Sequence, residues 1–346
     1  MSARFRRKSI GIGISLLVAV GGIAAVAIAL AIAGGSTPTA SAKLAARSQV
    51  VLAKPVNGTR ASQLVILNPD TGKQREIGEA DSYSHVRWSP DGSMIAALAT
   101  PTDAGQTSRL HLIAMPGGAF TTRELYANSV FVSWSPTSKQ IAVVGQHVYL
   151  LGPDGSVLAD VPAPERGGGA STEVIGAGFA WSPDGNLSAA GVNGMMIVIG
   201  RDGAVFTKTL ASMTGGTSDF AAIAGWLDDA TVVVSTSDGN FAIRASAGEL
   251  TARKMANTEP MPSNPRGNRE PDPAAVVAVK DLIPGGTVTQ SRASADGAAD
   301  VLEVRSSSGD AHLVIRDRAA GEIFEAKDSP VDLRGGGLYD VYVAAR

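Results

Sequence analysis

The 346-residue chain contains no cysteine. That absence excludes disulfides, thiolate metal sites, cysteine nucleophiles and lipid-anchored cysteines. Histidine is nearly as scarce: His85, His111, His147 and His312 are scattered through strand-like segments. No His-x-x-x-His pair or facial carboxylate set accompanies them, so they read as ordinary strand or edge residues rather than ligands. There is no Gly-x-Ser-x-Gly elbow. Gly167-Gly168-Gly169 is not followed by Lys-Ser/Thr, so it is not a phosphate loop. The Asp-Gly turns lack the alternating acids of a calcium loop. No catalytic, cofactor or metal residue is therefore expected, and no enzymatic activity.

Basic charge is also short outside the first nine residues. The formal net charge is −2, but Arg4, Arg6, Arg7 and Lys8 belong to that tail. The remainder holds 26 basic against 32 acidic residues, near −6. Nucleic acid is thereby excluded as a partner, because phosphate binding needs a basic surface.

A repeat stands out in what is present. Trp88-Ser89-Pro90-Asp91-Gly92 returns as Trp181-Ser182-Pro183-Asp184-Gly185, and in altered form as Trp134-Ser135-Pro136-Thr137-Ser138. Each copy separates two strand-like runs, such as the one ending at Trp88 and Ile95-Ala96-Ala97-Leu98. The letters suit a tight turn: Pro presets φ, Asp bonds its own backbone, and Gly accepts positive φ. Trp88, Trp134, Trp181 and Trp226 are 46, 47 and 45 residues apart, and they are all the tryptophans of the chain. A fifth turn, Ser294-Ala295-Asp296-Gly297, lacks its aromatic and comes 67 residues after Trp226, counted at Ala293. Periods of this length with about four short strands each are the signature of propeller blades. A tryptophan at a fixed point before each turn is expected to wedge between stacked sheets.

The blades count to six. Blades two to five are headed by the four tryptophans and blade six by Ala293. The strand-like run Leu338–Val343 is expected to complete blade one beside 49–53, 63–67 and 74–77, closing the ring and removing two open sheet edges. Outer hairpins fit this register at Gly152–Gly155, Arg201–Gly203 and Ala247-Gly248. A seventh blade would have to lie in 257–286, where Ala275–Val279 reads as an extra strand. The expected class is all-β, a six-bladed (alternatively seven-bladed) propeller over 48–346, with a Pro-rich insertion at 257–274.

The propeller is preceded by a basic tail (1–9), a charge-free run (10–33) and a Gly/Ser/Thr/Pro/Ala tether (34–47). Twenty-four uncharged residues suffice to cross a bilayer as a helix. The basic flank should stay in the cytoplasm, which places the propeller on the far side. The expectation is a single-pass signal anchor. Cleavage at Ala31-Ile32-Ala33 or Ala40-Ser41-Ala42 would release the domain instead. Gly21, Ala25, Ala29 and Ala33 share one helix face, a spacing that permits a weak homodimer through the membrane.

The Trp-Ser-Pro-Asp-Gly turn followed by an Ile-Ala strand resembles the WD40-like, TolB-type β-propeller repeat over roughly 48–346. The resemblance implies an exported domain acting through partner or ligand binding on a propeller face. Blades three, five and six depart from the motif. The structural repeat positions are Trp88, Asp91, Gly92, Trp134, Trp181, Asp184, Gly185, Trp226, Asp296 and Gly297.

If the tryptophan turns join first and second strands, the long irregular segments leave mostly on the opposite face, where binding loops are expected. The segment Pro260–Pro273 holds five prolines with Arg266, Arg269, Glu270 and Asp272, and is the candidate partner-binding loop. The functional expectation is a membrane-tethered, extracytoplasmic interaction scaffold or sensor with protein partners in the envelope. The alternative is a small-ligand-binding or enzymatic propeller that uses the central channel.

Overall fold

Second-strand runs such as Ile141–Val144 and the first four residues of Thr231–Thr236 are buried throughout. A strand enclosed on both faces reads as an unbroken apolar stretch, whereas a perimeter strand such as Phe120–Leu125 exposes five of its six residues. That gradient is what sheets stacked around an axis produce. The computed structural model describes residues 44, 47–100, 107–126, 129–163, 178–216, 222–246, 248–262, 272–326 and 339–343. By internal contacts the chain divides into Met1–Lys43 and Leu44–Arg346, and all described residues belong to the second unit. The expected span at 10–33 lies outside them. Among the described residues no helix is long and apolar enough to cross a membrane.

Six four-stranded antiparallel sheets make up the fold, the arrangement of a six-bladed β-propeller. Blade two is Tyr83–Trp88, Met94–Ala99, Ser108–Ala114 and Phe120–Leu125. Blade three is Phe131–Trp134, Ile141–Val144, His147–Leu151 and Val157–Pro162. Blade four runs from Phe179–Trp181 through Leu187–Val192 and Met195–Gly200 to Val205–Thr209. Blade five comprises Ala222–Asp228, Thr231–Thr236, Gly239–Ser246 and Glu249–Lys254. Blade six comprises Thr287–Ala293, Ala299–Arg305, Ala311–Asp317 and Ile323–Glu325. Each tryptophan turn joins a first strand to a second, and the three expected Gly-containing hairpins join third strands to fourth.

Blade one is assembled from both ends of the described domain. Tyr339–Val343 takes the first position and pairs antiparallel with Ser48–Pro55, Ser48 lying opposite Val343. Ser62–Leu67 and Gln74–Asp81 follow. The closing strand also fastens the next blade. Asp340, buried, accepts a hydrogen bond from the Trp88 backbone N–H at 2.8 Å, and the Tyr342 ring lies 5.7 Å from that of Trp88. The same ring covers Gly92, where a Cβ would come within 2.3 Å of it and where φ is +70°. Glycine is required there on both counts.

Neighbouring blades share mixed apolar layers. Blades one and two interleave Val51, Leu64 and Ile66 with Val86, Ile95 and Ala97. Blades six and one bury Val301, Leu313 and Ile315 against Val50, Leu52 and Val341. The far face of blade six is covered differently, by a helix, Pro273–Leu282. Ala275, Val279 and the following Ile283 pack on Leu302, Val304 and Val314.

Two expectations change here. Ala275–Val279 is helical and not a strand, and no seventh sheet exists among the described residues. Asp272 caps the helix, its carboxylate accepting from the Ala274 N–H at 3.0 Å, with Pro273 in the first turn; these start signals outweigh the β-branched run. The helix supplies 10 of the residues by which the interval from Trp226 to Ala293 exceeds the others. The second change concerns Trp181. Trp88 and Trp134 are 1% exposed and Trp226 8%, but Trp181 is only half-buried. Trp134 Nε1 donates to the Arg87 carbonyl and Trp226 Nε1 to the Ala180 carbonyl, both at 3.2 Å, each tying its blade to the one before. Trp181 stands edge-on to Phe179 of its own strand, centroids 5.5 Å apart. The wedge role is thus strong at Trp88, Trp134 and Trp226 and weaker at Trp181.

Candidate functional site

The repeat positions sit in one ring of turns, and a residue the motif reading passed over is their pivot. Ser89, Ser135 and Ser182 are 0% exposed and Ser294 is 1% exposed. Each hydroxyl accepts the backbone N–H five residues on, at 2.9 Å in Ser89, Ser182 and Ser294 and 3.1 Å in Ser135. In three copies it donates to the turn Asp, from Ser89 to Asp91, Ser182 to Asp184 and Ser294 to Asp296. In the third blade Thr137 replaces that Asp and Ser138 takes the glycine position at φ 61°. Hydrogen bonds to the ionised form hold the Asp91 and Asp184 carboxyls below their usual range, despite the opposing effect of burial. Adjacent turns touch. The Asp91 N–H donates to Ser138 Oγ at 3.0 Å, and the Asp184 N–H to Asp229 Oδ1 at 3.1 Å. Through these bonds the turns of blades two and three, and those of blades four and five, are joined.

The other predicted positions separate. Arg266, Arg269 and Glu270 lie outside the described residues. Asp272 is engaged structurally: besides capping the helix it pairs with Arg316 Nη1 at 2.8 Å. Arg316 also reaches Asp300, which Arg318 pairs at 2.7 Å. The helix is thereby fastened to blade six by charge as well as by apolar packing.

Three side-chain groups have chemistry of their own. Around the axis, half-buried rings from the first strands of blades two, three and four form a row. His85 is 6.1 Å from Phe131, Phe131 is 6.0 Å from Phe179, and Trp181 follows. Burial, with Arg87 adding to it, pushes the His85 imidazole down to about 4, so it is neutral at pH 7. The row is an apolar, aromatic lining that sequence spacing does not reveal.

On blades one and two, Asp81 accepts from Arg109 through both oxygens, at 2.8 and 2.5 Å, and lies 2.9 Å from His111 Nε2. His111 Nδ1 is 3.1 Å from the hydroxyl of exposed Thr122. The connectivity is that of a hydroxyl–imidazole–carboxylate relay. Asp81 is nevertheless clamped by the guanidinium and by the Ser82 N–H, and these bonds hold its carboxyl low against burial. A carboxylate so occupied stitches strands together more effectively than it supports proton transfer.

The third group lies at the perimeter between blades two and three. A cleft of about 300 Å³ is lined by Arg123, Leu125 and Tyr126 on one side and Tyr149, Val157 and Asp160 on the other. His147, paired to Asp160 at 2.5 Å, stacks between Tyr126 and Tyr149, centroids 4.0 and 5.5 Å away.

No family model matches the chain, and no curated protein matches it. Solved propellers resemble it distantly. TolB from Acinetobacter baumannii is 14% identical with a TM-score of 0.40, over 83% of this chain and 65% of that one, so this chain spans under two thirds of that protein. The β-propeller domain of the Trilobed protease from Pyrococcus furiosus is 11% identical, with a TM-score of 0.40 over 82% and 96%. The periplasmic gluconolactonase of Pseudomonas aeruginosa is 12% identical, with a TM-score of 0.37 over 84% and 87%. At such values the likeness carries no functional argument, and the six-bladed ring rests on the strand pairing itself.

Proposed function

We propose that this chain is a membrane-tethered, extracytoplasmic six-bladed propeller serving as a non-catalytic interaction scaffold or sensor in a cell-envelope assembly. The observation that carries the reading is a closed ring in a chain that begins with a basic tail and 24 uncharged residues. Such a ring positions loops without having to move. The anchor would be 10–33 and the tether 34–47, and the partner-docking element the Pro-rich insertion with Arg266, Arg269 and Glu270.

The absence of cysteine makes the topology directly testable. Ser156→Cys, in an exposed hairpin, and Ser2→Cys, in the basic tail, each introduce one thiol. In intact cells or spheroplasts a membrane-impermeant maleimide should label the first and spare the second. Labelling only at Ser2 would sink the orientation. Docking is tested by co-purification from gently solubilised membranes, with 263–271 replaced by a Gly-Ser link. Asp272 and Pro273 are kept, so that the helix retains its start. Partners lost with the segment support the reading; identical recoveries from both chains remove the segment from it.

The second reading is a small-ligand or enzymatic propeller using the central channel. The aromatic row His85, Phe131, Phe179 and Trp181 favours it. Ligand quenching of tryptophan fluorescence that disappears in Trp181→Phe would select this reading.

A further inference from the structure

The perimeter cleft between blades two and three combines features absent from the ring of turns. Its floor is apolar and buried, from Leu125 and Tyr149. Strand alternation places Arg123 beside Leu125 on the blade-two wall, facing blade three. Glu124, next along the strand, also borders the cleft, and it lies opposite Arg109 of the neighbouring strand, whose guanidinium it acts on. Asp160 lines the opposite wall, with one oxygen bonded to His147. Among the described residues Arg123 and Asp160 make no ion pair with each other, and Arg123 has no other carboxylate partner. A cation and an anion thus face one space across an apolar floor.

The walls are pre-organised. Tyr126, 59% exposed, is stacked 6° from parallel on His147, and Tyr149 lies 14° from parallel on its other side. Tyr149 Oη accepts the Tyr126 N–H at 3.3 Å, which leaves its own O–H free to donate into the cleft. Burial pushes this phenol above its ordinary value, so the proton stays on. The blade-two wall therefore offers a guanidinium, and the blade-three wall a carboxylate with the Tyr149 hydroxyl donor on the adjacent strand.

We propose that this cleft is a binding site for a free α-amino acid with an apolar side chain. The α-carboxylate takes Arg123 and the Tyr149 hydroxyl, the α-ammonium takes Asp160, and the side chain rests on Leu125, Val157 and the Tyr126 ring. The size agrees. A cleft of about 300 Å³ has room for one small amino acid, held by charge-assisted bonds of about 2.8 Å at either end. The proposal is independent of the partner-docking reading.

The test is calorimetric titration of the full-length chain in detergent with L-leucine, leucinamide and 4-methylpentanoate. Leucinamide lacks the carboxylate and 4-methylpentanoate the ammonium. Saturable leucine binding is expected, at least about tenfold weaker for either analogue, a loss equal to about 1.4 kcal/mol. Arg123→Gln and Asp160→Asn should each abolish it without changing the melting temperature. If either variant misfolds, Tyr126→Ala, at an exposed position, should weaken binding in a folded chain. Leucinamide binding as well as leucine would make this an amine site and overturn the proposal. Equal binding of 4-methylpentanoate would make it a carboxylate site and do the same. Absence of saturable heat with leucine up to about 10 mM, a range covering affinities far weaker than micromolar, also overturns it.

Discussion

Ser182 has no solvent exposure and serves both strands it joins, accepting from Leu187 N and donating to Asp184. Removing its hydroxyl strands a buried amide, so Ser182→Ala should cost about 1–3 kcal/mol in urea unfolding. A loss below about 0.5 kcal/mol, typical of neutral surface changes, would refute the pivot role. The tryptophans should divide in the same assay. Trp134→Ala empties a buried site and should cost about 3–5 kcal/mol, whereas Trp181→Ala should cost clearly less, since part of that ring already meets water. Acidity acts on a different residue. The folded pKa of His85 is depressed from 6.5 to about 4, so between those values the unfolded chain binds more protons. Its contribution is complete above pH 6.5 and is lost as pH falls toward 4. Asp81, also depressed, acts lower, its contribution disappearing as pH falls from about 3.8 through its folded value. His85→Leu should flatten the upper window and leave the lower one; an unchanged slope between pH 6.5 and 4 would exclude His85 as the cause.

At the scale of elements, the periodicity gave the blades because every blade repeats one turn at one register, and a repeat survives local substitutions such as Thr137 and Ser138. The Pro273–Leu282 helix is hidden in the sequence for the opposite reason. It occurs once, and Ala275–Val279 is apolar and β-branched enough to pass for a buried strand. The Asp272-Pro273 start is a legible signal, but it stands at the end of a Pro-rich segment that masks it. Asp272→Ala should therefore destabilise blade six by about 1 kcal/mol through the lost cap, with a further loss of the Arg316 pair. Hydrogen exchange of 273–282 should rise before that of blade two; uniform exchange would refute a local role. The perimeter cleft was not legible at all. Arg123 and Asp160 are 37 positions apart in sequence, and only the divergence of two blades brings them to one space. The aromatic row was hidden similarly, since His85, Phe131 and Phe179 occupy first strands whose inward face depends on bulges such as that between Tyr83 and His85.

Across the whole molecule, blade one differs from the other five in a single respect. Where they carry a turn between first and second strands, it has Val343 and Ser48 facing each other as paired residues of separate chain segments. Antiparallel partners have Cα atoms only about 4.5–5.5 Å apart, close enough for a copy of the Ser182–Asn186 turn to join them. The numbering of blades is then a matter of where synthesis starts and carries no structural weight. A circular permutant of the propeller, joined across that edge by a link that keeps buried Leu44 and the Arg47–Asp317 pair and opened between 263 and 271, should fold with a melting temperature close to that of the parent. Its unfolding rate should be lower as well, because the one blade whose first strand joins its second by no short turn would have become covalently continuous.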